Sequence, residues 1–131
     1  MEMILIKTNP ENKTATAEKI AKIIMIETGA TSLLAVESFA SMICNICKKT
    51  SRQFSDISND TDLFNKNYDN VDTNSREYAM CIRVARKMMN GDLSDNIRGA
   101  IRWHNNKQNP KWAKNIGWVA VADNLFFYTG C

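Results

Sequence analysis

A glutamate on the apolar face of a helix is the first residue in this chain that could do chemistry. In the stretch AEKIAKIIMIETGA, Ala17, Ile20, Ala21 and Ile24 recur at helical spacing, and Glu27 continues their stripe. A carboxyl group there loses hydration, and desolvation favours its neutral form. A protonated carboxylic acid near neutral pH can pass its proton to a leaving group, the usual requirement for breaking a glycosidic bond. The alternative is a glutamate at a helix end that reaches solvent or a neighbouring helix N-terminus.

The other candidates are amides, aromatics and one histidine. Asn45 lies eighteen positions after Glu27, on a second helical run that a tight turn could fold back beside the first. The stretch GAIRWHNN supplies a small-residue pair, Gly99 and Ala100, for close backbone approach. Trp103, His104 and Asn105 follow with a stacking surface and hydrogen-bonding groups. NPKW adds Trp112, and the end of the chain adds Asn124, Phe126 and Tyr128. Aromatic faces for sugar C–H surfaces, with amides and ring nitrogens for hydroxyls, are the means of holding carbohydrate. Each residue also has a structural alternative: tryptophan as core, a lone histidine as a packed polar group. Asp95 is the best second acid, but an aspartate before a Gly-Ala turn reads equally as a cap.

The elements that must position these groups are mostly helical. A first helix is expected from Thr14 or Thr16 to Thr28-Gly29, where glycine is a natural stop. Thr31 or Ser32 can cap a second, LLAVESFASMICNICKKT, with Ala35, Phe39, Met42, Ile43, Ile46 and Cys47 at the helical period. A third, SREYAMCIRVARKMMNG, carries an apolar stripe through Tyr78, Cys81, Ile82, Ala85, Met88 and Met89, leaving its basic residues for a solvated face. Between the last two, residues 51–75 form a long polar connection, a surface loop with one short turn around Leu63 and Phe64. WVAVADNLFFY alternates on both sides of Asp123-Asn124 and predicts a small β-hairpin. GAIRWHNNKQNPKWAKNIGW does not read as a simple core helix. The expected fold is mainly α, of the α+β kind: three or more helices around one core, with a small C-terminal hairpin.

Length and charge set the bounds. The chain has 131 residues, 44% hydrophobic and 24% charged, which predicts one domain over 1–131 with a short lead segment, 1–13. A net charge of +3 suits an anionic partner and is too weak to argue nucleic-acid binding. No stretch is long and apolar enough to span a bilayer. MEMILIKTNP lacks the pattern of a secretory signal, so synthesis in the cytoplasm is expected, with any route outward lying elsewhere. Cys44 and Cys47 form a CxxC inside a helical pattern, and Cys81 and Cys131 supply no matching pair. All four therefore read as structural rather than as zinc or redox groups.

With these residues in view, the chain resembles the SleB-like cell wall hydrolases, which include spore-cortex-lytic enzymes. Their pattern opens with a glutamate in an EARGE-type turn, followed by a helix ending in Asn-Arg. Later come D-x-T-x-G-A-x-x-(aromatic)-H-N, a Pro-x-Trp and a closing I-G-x-H-x-F-Y. The spacing from Glu27 to Asn45 matches without a gap. DNIRGAIRWHN matches through Asp95, Gly99, Ala100, Trp103, His104 and Asn105, NPKW through Pro110 and Trp112, and the ending through Phe126 and Phe127. The departures are Thr28, Gly29 and Ala30 in the turn, Ile46 after the asparagine, Ile97 at the threonine position, and Ala122 and Asn124 at the closing glycine and histidine.

The resemblance implies a lysozyme-like α fold and cleavage between N-acetylmuramic acid and N-acetylglucosamine in peptidoglycan, without cofactor or metal, with Glu27 as acid. Asn45, Asp95, Gly99, Trp103, His104, Asn105, Asn124 and Tyr128 would then shape the substrate groove. A hydrolase normally needs two carboxylates. A lytic transglycosylase needs one, and the chain offers no second acid as well placed as Glu27. Two other readings are a degenerate member that holds glycan or protein without cutting, and an amidase acting on the stem peptide. The amidase typically needs zinc, for which one histidine and scattered cysteines are a poor ligand set.

Overall fold

The computed structural model describes residues 13–129. Four helices precede a small sheet: α1 (Lys13–Thr28), α2 (Leu33–Thr50), α3 (Phe54–Ser58), α4 (Arg76–Met89), then β1 (Arg102–Asn105), β2 (Ala120–Ala122) and β3 (Leu125–Tyr128). A 3-10 turn, Lys111–Ala113, lies between β1 and β2. The expected mainly α fold with a C-terminal hairpin is what the chain adopts.

The apolar stripes make the core. α1 packs chiefly on α4, α2 packs on both, and Ile20, Ile24, Phe39, Met42, Met88 and Phe127 are all at most 1% exposed. Each such side chain contributes about 1.5–3 kcal/mol by leaving water. Thr14 and Thr16, expected as caps, lie within α1, and Thr16 is buried against its neighbours. Of the lead segment, 1–12 lie outside the described residues, as does Cys131.

The turn after α1 is built by the sequence Thr-Gly-Ala. Thr28 Oγ1 donates to the Ile24 carbonyl at 2.7 Å and accepts from the Ala30 amide at 2.9 Å. Gly29 and Ala30 both take left-handed backbone, φ 69° and 49°, and this reverses the chain into α2. Ser32 caps α2, its side chain accepting from the Ala35 amide at 3.0 Å. Ser75 caps α4 in the same way.

Two elements depart from expectation. The polar connection over 51–75 is not only a surface loop. It holds α3 and a turn in which the Leu63 and Phe64 amides both donate to the Asp60 carbonyl. Ile57, Phe64 and Tyr68 sink from it into the core. The sheet also has a third strand: β1 pairs antiparallel with β3, Trp103 opposite Phe127 and His104 opposite Phe126, giving the order β1-β3-β2. Trp103 packs inward on Phe39 while His104 packs outward on Phe126, so β1 is half-buried on both faces and has no clean alternation to read.

Candidate functional site

Glu27 stands in the last turn of α1 with its side chain only 7% exposed. Both carboxylate oxygens are held. Lys66 Nζ donates to Oε1 at 2.8 Å, and the Tyr68 hydroxyl donates to Oε2 at 2.6 Å. Tyr68 is 3% exposed, and burial, reinforced by the Glu27 carboxylate, pushes its hydroxyl well above the ordinary tyrosine range. It is therefore a fixed O–H donor. Lys66 is half exposed on the connection between α3 and α4. The Lys19 ammonium lies over the Tyr68 ring, 5.9 Å from its centroid.

The hairpin tip is tied to the turn that follows Glu27. Asp123, in left-handed backbone, accepts hydrogen bonds from the Thr31 and Ser32 hydroxyls. These hold its carboxyl below the usual aspartate range, Thr31 being the larger influence. Asn124 is exposed beside it in the same turn. The tip of the C-terminal hairpin thus sits against the α1–α2 turn, a contact across some ninety positions of chain.

The other candidates form a second group on the sheet. His104 stacks between Phe126 and Tyr128, with both centroids at 5.3 Å, and meets Trp112 edge-on at 6.0 Å. Its Nδ1 lies 2.8 Å from the Asn105 carbonyl, which only accepts, so Nδ1 carries the proton. In the neutral ring Nε2 then accepts from the Tyr128 hydroxyl at 2.7 Å. Arg102 lies on this same outer face, its guanidinium 4.2 Å from the Trp112 centroid. Trp103 faces the other way, edge-on to Phe39 at 4.9 Å and tilted against Phe64 at 5.8 Å. Much of that ring serves the core.

Four predicted residues shape backbone. Asn45 Nδ2 donates to the Ala100 carbonyl at 3.1 Å and fixes the approach to β1 from α2. Asp95 accepts from the Ile97 and Gly99 amides at 2.9 and 2.7 Å and so closes a turn, with no helix directly after it for the cap expected from sequence. Gly99 is needed for its φ of 76°, not for close approach: a Cβ there would meet nothing within 4 Å. Asn105 Oδ1 accepts from the Lys107 amide at 2.9 Å and closes the turn after β1.

Among the described residues no hydrogen bond joins Glu27 to the His104 group. The two are linked through packing, because Phe64 touches Trp103 and stands on the same connection as Lys66 and Tyr68. The sheet side is hollowed by a cavity of about 400 Å³ lined by Trp103, His104, Gln108, Asn109, Pro110 and Trp112. No three His, Cys, Asp or Glu side chains among the described residues converge to hold a metal ion. Cys47 and Cys81 are buried in the core and Cys44 half-buried.

The profile of the cell wall hydrolase family matches residues 11–128 of this sequence. The chain belongs to the cell wall hydrolase family. That match spans Glu27, Lys66 and Tyr68 together with the sheet group, so both clusters lie inside the family's domain. No curated protein and no solved structure matches the chain. No described helix is long and apolar enough to cross a membrane.

Lys66 and Tyr68 were not among the sequence candidates. One signal was available: Tyr68 and Phe64 are large aromatics in an otherwise polar run, and such residues seldom remain in water without reason.

Proposed function

We propose that this cell wall hydrolase cuts the β-1,4 bond between N-acetylmuramic acid and N-acetylglucosamine, as a SleB-like lytic transglycosylase with Glu27 as its one acid/base. The observation that carries this reading is the setting of Glu27, a nearly buried carboxyl with both oxygens held in a chain of this family. A lytic transglycosylase needs one carboxylate where a hydrolase normally needs two, and Glu27 is the one this reading assigns to the chemistry.

In the free enzyme the Lys66 ammonium faces Glu27. Lys66 is on an exposed stretch, so a neutral glycan can displace its ammonium from Glu27, and the reaction uses Glu27 in its protonated form. The acid then gives its proton to the glycosidic oxygen as the C1–O bond breaks, and the N-acetylglucosamine end leaves as an alcohol. Positive charge on C1 and the ring oxygen is met by the resulting carboxylate. That carboxylate takes the proton of the muramic C6 hydroxyl as its oxygen bonds to C1. The product is a 1,6-anhydro ring, and Glu27 is again protonated. Tyr68 fixes the direction of the carboxyl through both steps.

Mass spectrometry of digested peptidoglycan tests this. Anhydro ends, one water lighter than reducing ends, are expected from the wild type, and Glu27→Gln is expected to release no product while keeping its fold. Reducing ends alone would replace the transglycosylase by a hydrolase, and full activity in the glutamine variant would remove Glu27 from the chemistry. The Lys66 ion pair also favours a second reading, a member that holds glycan without cutting. Retention on insoluble peptidoglycan with no soluble product from the wild type would establish it.

A further inference from the structure

A cavity of about 490 Å³ lies beside the sheet, away from Glu27 and its partners. Its wall combines Lys49, Arg52 and Arg102 with the apolar side chains of Ile46, Leu63 and Ile101. Among the described residues no carboxylate lines it. Asp60 pairs with Arg52 at 3.0 Å from outside the wall. Lys49 stands in the last turn of α2, exposed.

The cavity is one end of a trough. A smaller hollow of about 210 Å³, whose wall also includes Asp62, shares Leu63, Ile101 and Arg102 with it, and shares Trp103 and Trp112 with the cavity beside His104. Chemistry changes along that line. The His104 end offers amides and aromatic faces, as in Gln108, Asn109 and Trp112. The far end offers three cations around an apolar floor. Peptidoglycan has the same division, a neutral N-acetylated glycan carrying a short branch of alanine methyls and free carboxylates.

We infer that the Lys49–Arg52–Arg102 cavity is a subsite for the acidic stem peptide, and that the protein selects peptide-bearing strands over bare glycan. This rests on the proposed peptidoglycan-cleaving function, whose glycan would lie at the aromatic end. The apolar floor takes the alanine methyls, and the three cations meet the carboxylates with charge-assisted bonds. Such a contact between partly exposed charges weakens with salt.

Titration of the intact protein with a soluble muramyl disaccharide-peptide, the same compound with amidated carboxylates, and the peptide-free disaccharide tests the inference. The acidic compound is expected to bind about ten-fold tighter than the other two at low salt, a gap of about 1.4 kcal/mol. Lys49→Glu is expected to remove most of that preference while binding the peptide-free disaccharide unchanged. Equal affinity for all three ligands, or an undiminished preference in Lys49→Glu, overturns the inference. Digestion of amidase-stripped glycan strands is read in parallel. Preference in binding without cleavage of any strand would count against the catalytic function alone, and cleavage with no preference against the subsite alone.

Discussion

Tyr68 is the residue through which the site can be examined most directly, because its hydroxyl touches Glu27 and nothing about its place requires contact with substrate. Tyr68→Phe keeps the ring in its pocket and removes one donor from a nearly buried carboxylate. Loss of a hydrogen bond to a charged group costs about 1.5–3 kcal/mol, so a lower unfolding midpoint is expected. Turnover is expected to fall about ten-fold or more as the carboxyl loses its direction, with KM little changed. A rise in KM at constant kcat would instead place Tyr68 in ground-state binding. Gly29 gives a cleaner stability measurement. At φ 69° an alanine side chain meets only the Thr31 methyl at an ordinary 3.6 Å, so the cost of Gly29→Ala is conformational, about 1–2 kcal/mol. Denaturant unfolding at constant m-value checks it. At this scale Glu27 was legible because a charge interrupts an apolar stripe. Lys66 and Tyr68 were not, since they reach it from 39 and 41 positions away and no local period connects them.

Legibility followed periodicity at the scale of elements. α2 and α4 carry one-sided stripes with a serine at each N-cap, and both were readable to within a residue or two. The hairpin was readable from its alternation. β1 was not, because four residues half-buried on both faces have neither a helical nor a strand period, and only the pairing with β3 makes them a strand. The five-residue α3 is too short for any period and is held by tertiary packing. The tie between hairpin and helix is testable by pH. Hydroxyls of Thr31 and Ser32 lower the Asp123 pKa from the ordinary 3.8, so the folded state binds this proton less readily than the unfolded chain. The stabilisation is therefore fully present above that unfolded value and is lost as pH falls through the lower folded one. Asp123→Asn preserves a residue tolerant of left-handed backbone but removes the titration. Its melting temperature is expected below the wild type's at neutral pH, the gap closing as pH falls below the ordinary aspartate value and through the lower folded one. A gap independent of pH would mean the carboxylate charge contributes nothing to the tie.

For the molecule as a whole, the connection between α3 and α4 joins the two halves of the site, and Phe64 is where it is anchored. This ring is 5% exposed and lies 6.2 Å from the Phe39 centroid and 5.8 Å from that of Trp103. Phe39 belongs to the helical core and Trp103 to the sheet, so one side chain spans the helices, the sheet and the segment that brings Lys66 and Tyr68 to Glu27. Truncating a buried phenylalanine costs about 3–5 kcal/mol, a large part of the stability of a domain this size. Phe64→Ala is expected to lower the unfolding free energy by that amount. It is also expected to open the chain between Asn65 and Asn74 to limited proteolysis before global unfolding, because Tyr68 is then the main apolar anchor left in that stretch. Activity on peptidoglycan should fall in parallel under conditions where circular dichroism shows the helices intact, although Phe64 is not placed against the reacting atoms. Protease resistance and activity that survive unchanged in a destabilised variant would show that the segment is held by Tyr68 and α3, and that Phe64 serves the core alone.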